Sequence, residues 1–248
     1  MAGTAVLGRL TWLVAEVVET RSETPHVRTL VLDVAGWQDH RAGQHVDVRL
    51  TAEDGYQAER SYSLASPPGE PPAITVERLD DGEVSPYLVD VAEAGDRFEL
   101  RGPIGGYFVW EPDGSTDPLF LVAGGSGVVP LMAMIRRRAA AGSDVPATLL
   151  CSSRRFEDVI YREELDQLAA RGDGLEVVQT LTRAQPPGWA GYSRRVDVEL
   201  LREVAPAPDQ SPRVFVCGPT SFVEAVAEGL VSLGHRPGRI RTERFGGG

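Results

Sequence analysis

The sequence predicts an antiparallel, six-stranded, Greek-key-like β-barrel followed by a parallel α/β sheet. Three observations predict it. Short β-rich segments separated by turns fill the first hundred residues, a polar break follows at 111–118, and apolar runs alternating with helical patterns come after the break. Trp12 to Val18 and Val27 to Val34 are rich in β-formers. His45 to Leu50 alternates, with His45, Asp47 and Arg49 on one face and Val46, Val48 and Leu50 on the other. Ala58 to Ser63, Ala73 to Arg78 and Arg97 to Leu100 complete the set. Asp54-Gly55, Pro67-Pro68-Gly69 and Asp80-Asp81-Gly82 mark turns between them. Short strands at this spacing suit an antiparallel barrel. A short helix is expected from Ser85 to Val91.

The break divides the chain into an expected barrel domain at 1–110, a linker at 111–118 and an α/β domain at 119–248. Leu119 to Ala123, Thr148 to Cys151, Val177 to Leu181 and Val214 to Cys217 are continuous apolar runs. Helical patterns over Leu131 to Ala141, Tyr161 to Ala170 and Phe222 to Leu233 alternate with them. Strands buried on both faces and separated by helices form parallel sheets. Such sheets bind ligands at the carboxyl ends of their strands.

Composition limits the function. The net charge is −11, which argues against nucleic-acid or anionic-membrane partners. The charge is uneven, about −12 over residues 1–117 and about +1 over 118–248. Every cation is an arginine, a bias that a GC-rich genome produces and that also suits bidentate phosphate recognition. No apolar stretch reaches the roughly 20 residues of a membrane span, and no export signal is legible, so the cytoplasm is expected. Two cysteines, Cys151 and Cys217, cannot supply the four thiolates of a ferredoxin-type cluster. The four histidines lack ligand spacing, so no metal site is expected.

Several short motifs point to chemistry. Gly124-Gly125-Ser126-Gly127-Val128-Val129-Pro130 follows the first α/β strand and opens a helix. Its glycines let backbone amides approach a pyrophosphate at the helix N-terminus, although a tight turn with no ligand has the same spacing. Pro130 suits the first helical turn and stands where the dinucleotide fingerprint would have its last glycine. After the second strand the chain reads Cys151-Ser152-Ser153-Arg154-Arg155, with no carboxylate before Glu157. Arg154, with Arg183 after the third strand, could accommodate a ribose 2′-phosphate, and a solvated surface pair of Arg154 and Arg155 is the other reading. This favours NADPH over NADH. Alternation places Arg60 and Tyr62 on one face of their strand and Ser61 and Ser63 on the other.

Arg60-Ser61-Tyr62-Ser63, Gly82-Glu83-Val84-Ser85-Pro86-Tyr87-Leu88, Gly102-Pro103-Ile104-Gly105, the Gly124–Pro130 loop, Cys217-Gly218-Pro219 and Glu243-Arg244-Phe245 occur in this order. The series, from about Leu10 to Phe245, resembles the ferredoxin–NADP reductase family of flavin oxidoreductases. The resemblance implies a barrel that binds flavin and an α/β domain that binds NAD(P). It implies that Arg60 pairs with the flavin phosphate, Tyr62 stacks on the isoalloxazine, and Ser63 hydrogen-bonds near N5. The loop at Gly82, Val84 and Ser85 would hold a pyrophosphate, which favours FAD over FMN. Gly125, Ser126 and Gly127 would cradle the NADPH pyrophosphate, with Ser152 beside them, and Cys217, Gly218 and Pro219 would line the nicotinamide pocket. Ser63, Cys217 and Glu243 become the catalytic candidates, and Phe245 matches a tail aromatic near the flavin. Gly246-Gly247-Gly248 departs from relatives that end on the aromatic.

The implied activity is hydride transfer from NADPH to FAD, then electron delivery to a separate acceptor. A ferredoxin or flavodoxin is expected first, or a monooxygenase-type oxidoreductase partner. Arg136, Arg137 and Arg138 offer an expected docking face on a monomer. The alternatives are a flavin-binding electron-transfer subunit of a larger complex and a reductase of free flavin or quinone.

Overall fold

In the computed structural model, residues 10–245 are described. The first six strands are β1 (Leu13–Thr24), β2 (Val27–Val34), β3 (His45–Thr51), β4 (Gln57–Ser63), β5 (Ala73–Glu77) and β6 (Arg97–Ile104). They form one antiparallel sheet in the order β4-β3-β6-β1-β2-β5. An antiparallel bridge between Leu64 and Ile74 brings its two edges together, closing the sheet into a barrel. Alternation sets the faces: Val46 and Val48 of β3 are fully buried, while His45, Asp47 and Arg49 lie outside the core. The short helix covers residues 85–91 as expected, with Tyr87–Val91 wound more widely than an α-helix.

Residues 111–118 contain neither helix nor strand. Beyond them lie β7 (Leu119–Gly124), β8 (Ala147–Ser153), β9 (Leu175–Leu181), β10 (Arg213–Pro219) and β11 (Ile240–Phe245). They pair in parallel in the order β11-β10-β7-β8-β9. The helices are α1 (Val128–Ala140), α2 (Arg162–Ala169), α3 (Val198–Val204) and α4 (Thr220–Ser232). Sequence reading missed β11 and α3. β11 pairs only with β10 and carries Arg241, Glu243 and Arg244, so it lacks the apolar run of a central strand. α3 is only seven residues long, and its clearest mark is Asp197, whose carboxylate accepts from the Leu200 amide at 2.8 Å.

The chain passes from β7 outward through β8 and β9 on one side and returns to β10 and β11 on the other. The order therefore reverses between β7 and β10, where open α/β sheets place their ligand crevice.

β5 joins the two halves because its faces serve different neighbours. Ile74 and Val76 point into the barrel core. Ala73 belongs instead to the apolar cluster built around α1. Thr75 accepts from the hydroxyl of buried Tyr161, and Glu77 accepts from the Ser126 hydroxyl at 2.6 Å. The polar contacts continue inward from Thr75 to Thr29 at 2.7 Å and from Thr29 to Glu23 at 2.6 Å. Tyr161 is thus an interface residue, held at φ 58° with the Arg136 guanidinium 4.8 Å from its ring centre.

The expected docking face on α1 is overturned, since all three of its arginines have intramolecular partners. Arg136 binds Glu164 at 2.6 Å and the Ala65 carbonyl at 2.7 Å. Arg137 reaches Glu111 at 3.2 Å. Arg138 is buried and donates to the Val145 carbonyl at 2.7 Å and to Asp173 at 3.0 Å. Consecutive helical residues point in different directions, so a run of three arginines does not make one basic face. Arg138→Met preserves volume but leaves these acceptors without their donor. It should lower unfolding free energy by about 3 kcal/mol in urea titrations.

Candidate functional site at the carboxyl ends of the parallel strands

The barrel contributes the end of β4 and the loop before Tyr87. Arg60 donates to Glu83 at 2.7 Å and to the Glu59 carbonyl at 2.7 Å. Glu83 also accepts from the Tyr56 hydroxyl. Arg60 and the Gly82–Ser85 loop, distant in sequence, therefore meet at one end of the barrel. The Arg60–Glu83 pair is about half exposed on both sides, so it is weak and exchangeable for another anion. Val84 is fully buried, which leaves its backbone as its only polar resource. Ser85 is also buried, and its hydroxyl accepts from the Leu79 amide at 3.0 Å while keeping a proton to donate. Gly82 closes the turn by donating its amide to the Leu79 carbonyl at 3.0 Å.

Tyr62 packs beside the barrel core, and burial pushes its phenol pKa upward, so the ring stays neutral. Ser63 ends β4 opposite His45. Ser61 turns to the other face, as expected, and donates to Asp47 at 2.6 Å.

The parallel sheet contributes the ends of β7, β10 and β11. A Cβ on Gly127 would lie 2.1 Å from the Cys217 carbonyl oxygen, so only glycine lets the loop reach β10 this closely. Gly125 has φ +57° and opens onto free space. Gly218 follows Cys217 where β10 passes closest to Gly124. The result is a cleft of about 410 Å³ between the halves, a volume suited to a small organic ligand. Gly125, Ser126, Ser152, Arg154, Pro219 and Phe245 line it from the α/β side. His26, Glu77 and Arg78 face them from the barrel. Arg183 does not line the cleft but sits beside Arg154, with its amide donating to the Arg154 carbonyl at 2.9 Å.

Register places Cys217 directly beside Glu243 and Pro219 beside Phe245. Burial, reinforced by Glu243, holds the Cys217 thiol pKa well above its ordinary value. A neutral thiol is a poor nucleophile, which argues against attack by Cys217. Burial raises the Glu243 pKa to about 7, and its Oε2 has no hydrogen-bond partner among the described residues. An orphaned buried carboxyl oxygen, on the strand that brings Phe245 to the cleft, fits a site completed by a ligand.

His45 comes within 3.7 Å of Glu243, a neighbour that sequence reading missed. Burial lowers the His45 pKa while it raises that of Glu243, so near neutral pH the contact is proximity between weakly charged groups, too long for a hydrogen bond. The pairing of His45 with Ser63 across β3 and β4 was the available signal. Glu77 was also missed, although the alternation of β5 carries it to the α/β side. The expectation for Gly246-Gly247-Gly248 lies outside the described residues.

A β-barrel joined at an interdomain cleft to a parallel sheet, with a glycine loop at the sheet's switch point, defines the two-domain class of dinucleotide-coupled flavoproteins. The family described as oxidoreductase FAD-binding domain matches residues 14–109, and that described as oxidoreductase NAD-binding domain matches residues 121–228. Ferredoxin–NADP reductase B of Sorangium cellulosum is 37% identical over 239 residues, covering 93% of this chain and 96% of that one. The glycine betaine monooxygenase reductase subunit of Pseudomonas aeruginosa is 32% identical over 210 residues, 83% of this chain. This chain spans only 56% of that subunit's length. The FAD/NAD-binding domain of a nitric oxide dioxygenase from Vibrio cholerae superposes with a TM-score of 0.85 at 26% identity, covering 95% of this chain and 99% of that one. The chain belongs to the ferredoxin–NADP reductase-like family of flavin oxidoreductases. It is an NAD(P)H-dependent flavoprotein that uses FAD and passes electrons to a separate acceptor.

Glu243 sets a pH dependence. Its carboxyl pKa rises from 4.5 in a free side chain to about 7 in the folded protein, so folding favours its protonated form. Its contribution to stability is complete below about pH 4.5 and is lost as pH rises through about 7. Glu243→Gln removes this titration. Measured by urea unfolding, wild type should lose about 3 kcal/mol relative to Glu243→Gln between pH 4 and pH 8.

Proposed function

We propose that the chain is an NADPH-dependent reductase whose physiological acceptor is a small redox protein, with a ferredoxin as first choice and a flavodoxin as second. The single observation that carries the NADPH reading is Arg154, which lines the cleft with no carboxylate partner among the described residues. A guanidinium at the end of the second parallel strand suits a ribose 2′-phosphate, and the neighbouring Arg183 adds positive charge. The name and full-length match of the Sorangium relative support the ferredoxin reading. The monooxygenase reductase relative favours a second reading, in which an oxygenase component takes the electrons.

The residues present fit both cofactors. Arg60 releases Glu83 to pair with a flavin phosphate, and the Ser85 hydroxyl donates to the same group. The Val84 and Ser85 amides lie at the start of the short helix over residues 85–91, where no earlier carbonyl of that helix claims them. Tyr62 would offer its ring for stacking on the flavin, and Ser63 would offer its hydroxyl to the flavin's reactive edge. Gly125, Ser126 and Gly127 present backbone to the dinucleotide pyrophosphate, with Ser152 beside them. Cys217, Gly218 and Pro219 form the wall against the nicotinamide. Glu243, half protonated near pH 7, gives or takes a proton at the flavin edge, and Phe245 covers the cleft from β11. FAD when bound supplies hydride acceptance and release of single electrons, and the protein supplies orientation and electrostatics.

Steady-state kinetics test the cofactor choice. Arg154→Glu should raise the KM for NADPH about tenfold or more while changing the KM for NADH less than about twofold. An unchanged NADPH KM would remove the 2′-phosphate assignment.

A further inference from the structure

β5 ends on Glu77, and its carboxylate accepts the Ser126 hydroxyl proton at 2.6 Å. The two residues come from opposite halves and line the same cleft. Ser126 lies between Gly125 and Gly127, in the loop assigned above to the dinucleotide pyrophosphate, and the inference rests on that reading. A serine hydroxyl has one proton to donate. A phosphate oxygen and the Glu77 carboxylate are therefore rivals for it.

The charge of Glu77 is poorly compensated. It makes no ion pair among the described residues. The adjacent arginine, Arg78, is committed to Asp80 and to Asp90 at 2.6 Å. Asp80 and Asp158 add negative charge to the cleft wall, while Arg154 opposes it. The start of α1, two residues beyond Ser126, favours an anion, and Glu77 supplies one from within the protein. Glu77 is exposed on its strand, so its burial stabilises nothing that would explain a carboxylate here. The other residues of this β5 face, Ala73 and Thr75, make the interface with neutral groups.

We propose that Glu77 is an affinity-setting carboxylate that competes with the dinucleotide's phosphates for the Ser126 hydroxyl and the field at the start of α1. Binding requires the Glu77–Ser126 hydrogen bond to break and the carboxylate to withdraw from the phosphates. The repulsion weakens binding of oxidised and reduced dinucleotide alike, and it favours release after turnover.

The test is calorimetric titration of the FAD-loaded protein with NADP⁺, and separately with NAD⁺, for wild type, Glu77→Gln and Glu77→Lys. Glu77→Gln keeps an oxygen that can accept from Ser126 but removes the charge. It should bind NADP⁺ about three- to tenfold more tightly at low salt, and Glu77→Lys more tightly still. The gain should shrink at about 0.5 M salt, where screening is strong. NAD⁺ should show the same trend, because both dinucleotides share the pyrophosphate. Unchanged or weaker binding in both variants would overturn the inference and leave Glu77 as an interface tie. Failure of wild type to bind either dinucleotide would overturn the site reading and this inference together.

Discussion

The two-faced strand β5 is the constraint on which the rest depends. Ile74 and Val76 must complete the barrel core, and Ala73, Thr75 and Glu77 must meet the α/β half. A strand permits this because successive side chains point to opposite sides. A one-residue slip would exchange the two sets and bury Glu77 in the barrel. The register with β2, from Val27 opposite Glu77 to Val31 opposite Ala73, therefore fixes the relation between the halves. The apolar cluster that includes Ala42, Ala65, Ala73 and Phe108 of the first half with Leu131 and Met134 of α1 makes that junction part of the core.

The cleft gains its chemistry from this junction. The residues proposed to hold the flavin stand on β4 and the 82–85 loop, and those proposed to hold the dinucleotide stand at the carboxyl ends of β7, β10 and β11. The close approach of Gly127 to Cys217 draws the glycine loop over the end of β10, beside the Glu243 register position. Burial then keeps Cys217 neutral and leaves Glu243 balanced between its two protonation states near neutrality. Arginine pairs such as Arg49 with Glu99 and Arg101 with Asp47 offset only part of the acidic charge of the barrel half.

Much of this was legible in the sequence, for identifiable reasons. β2 and β3 announce themselves through β-branched residues and alternation, and β7 through an uninterrupted apolar run. The loop from Gly124 to Pro130 declares a strand-to-helix turn because few other residues fit that path. The order of motifs pointed to the family even though each motif is short. What escaped depends on pairing across the fold. The charges of β11 hide a strand that only β10 stabilises, and the run Arg136-Arg137-Arg138 hides three separate partners. Alternation sets the faces of His45 and Glu77, but their partners appear only when β3 meets β11 and β5 meets the glycine loop.

The central claim is that the interdomain cleft brings a nicotinamide against a flavin held by the barrel. Anaerobic rapid mixing of the FAD-loaded wild-type protein with NADPH tests it most directly. The account predicts loss of the oxidised flavin absorbance in a single turnover, at a rate that saturates with NADPH concentration. Persistence of that absorbance while NADPH binds would contradict it.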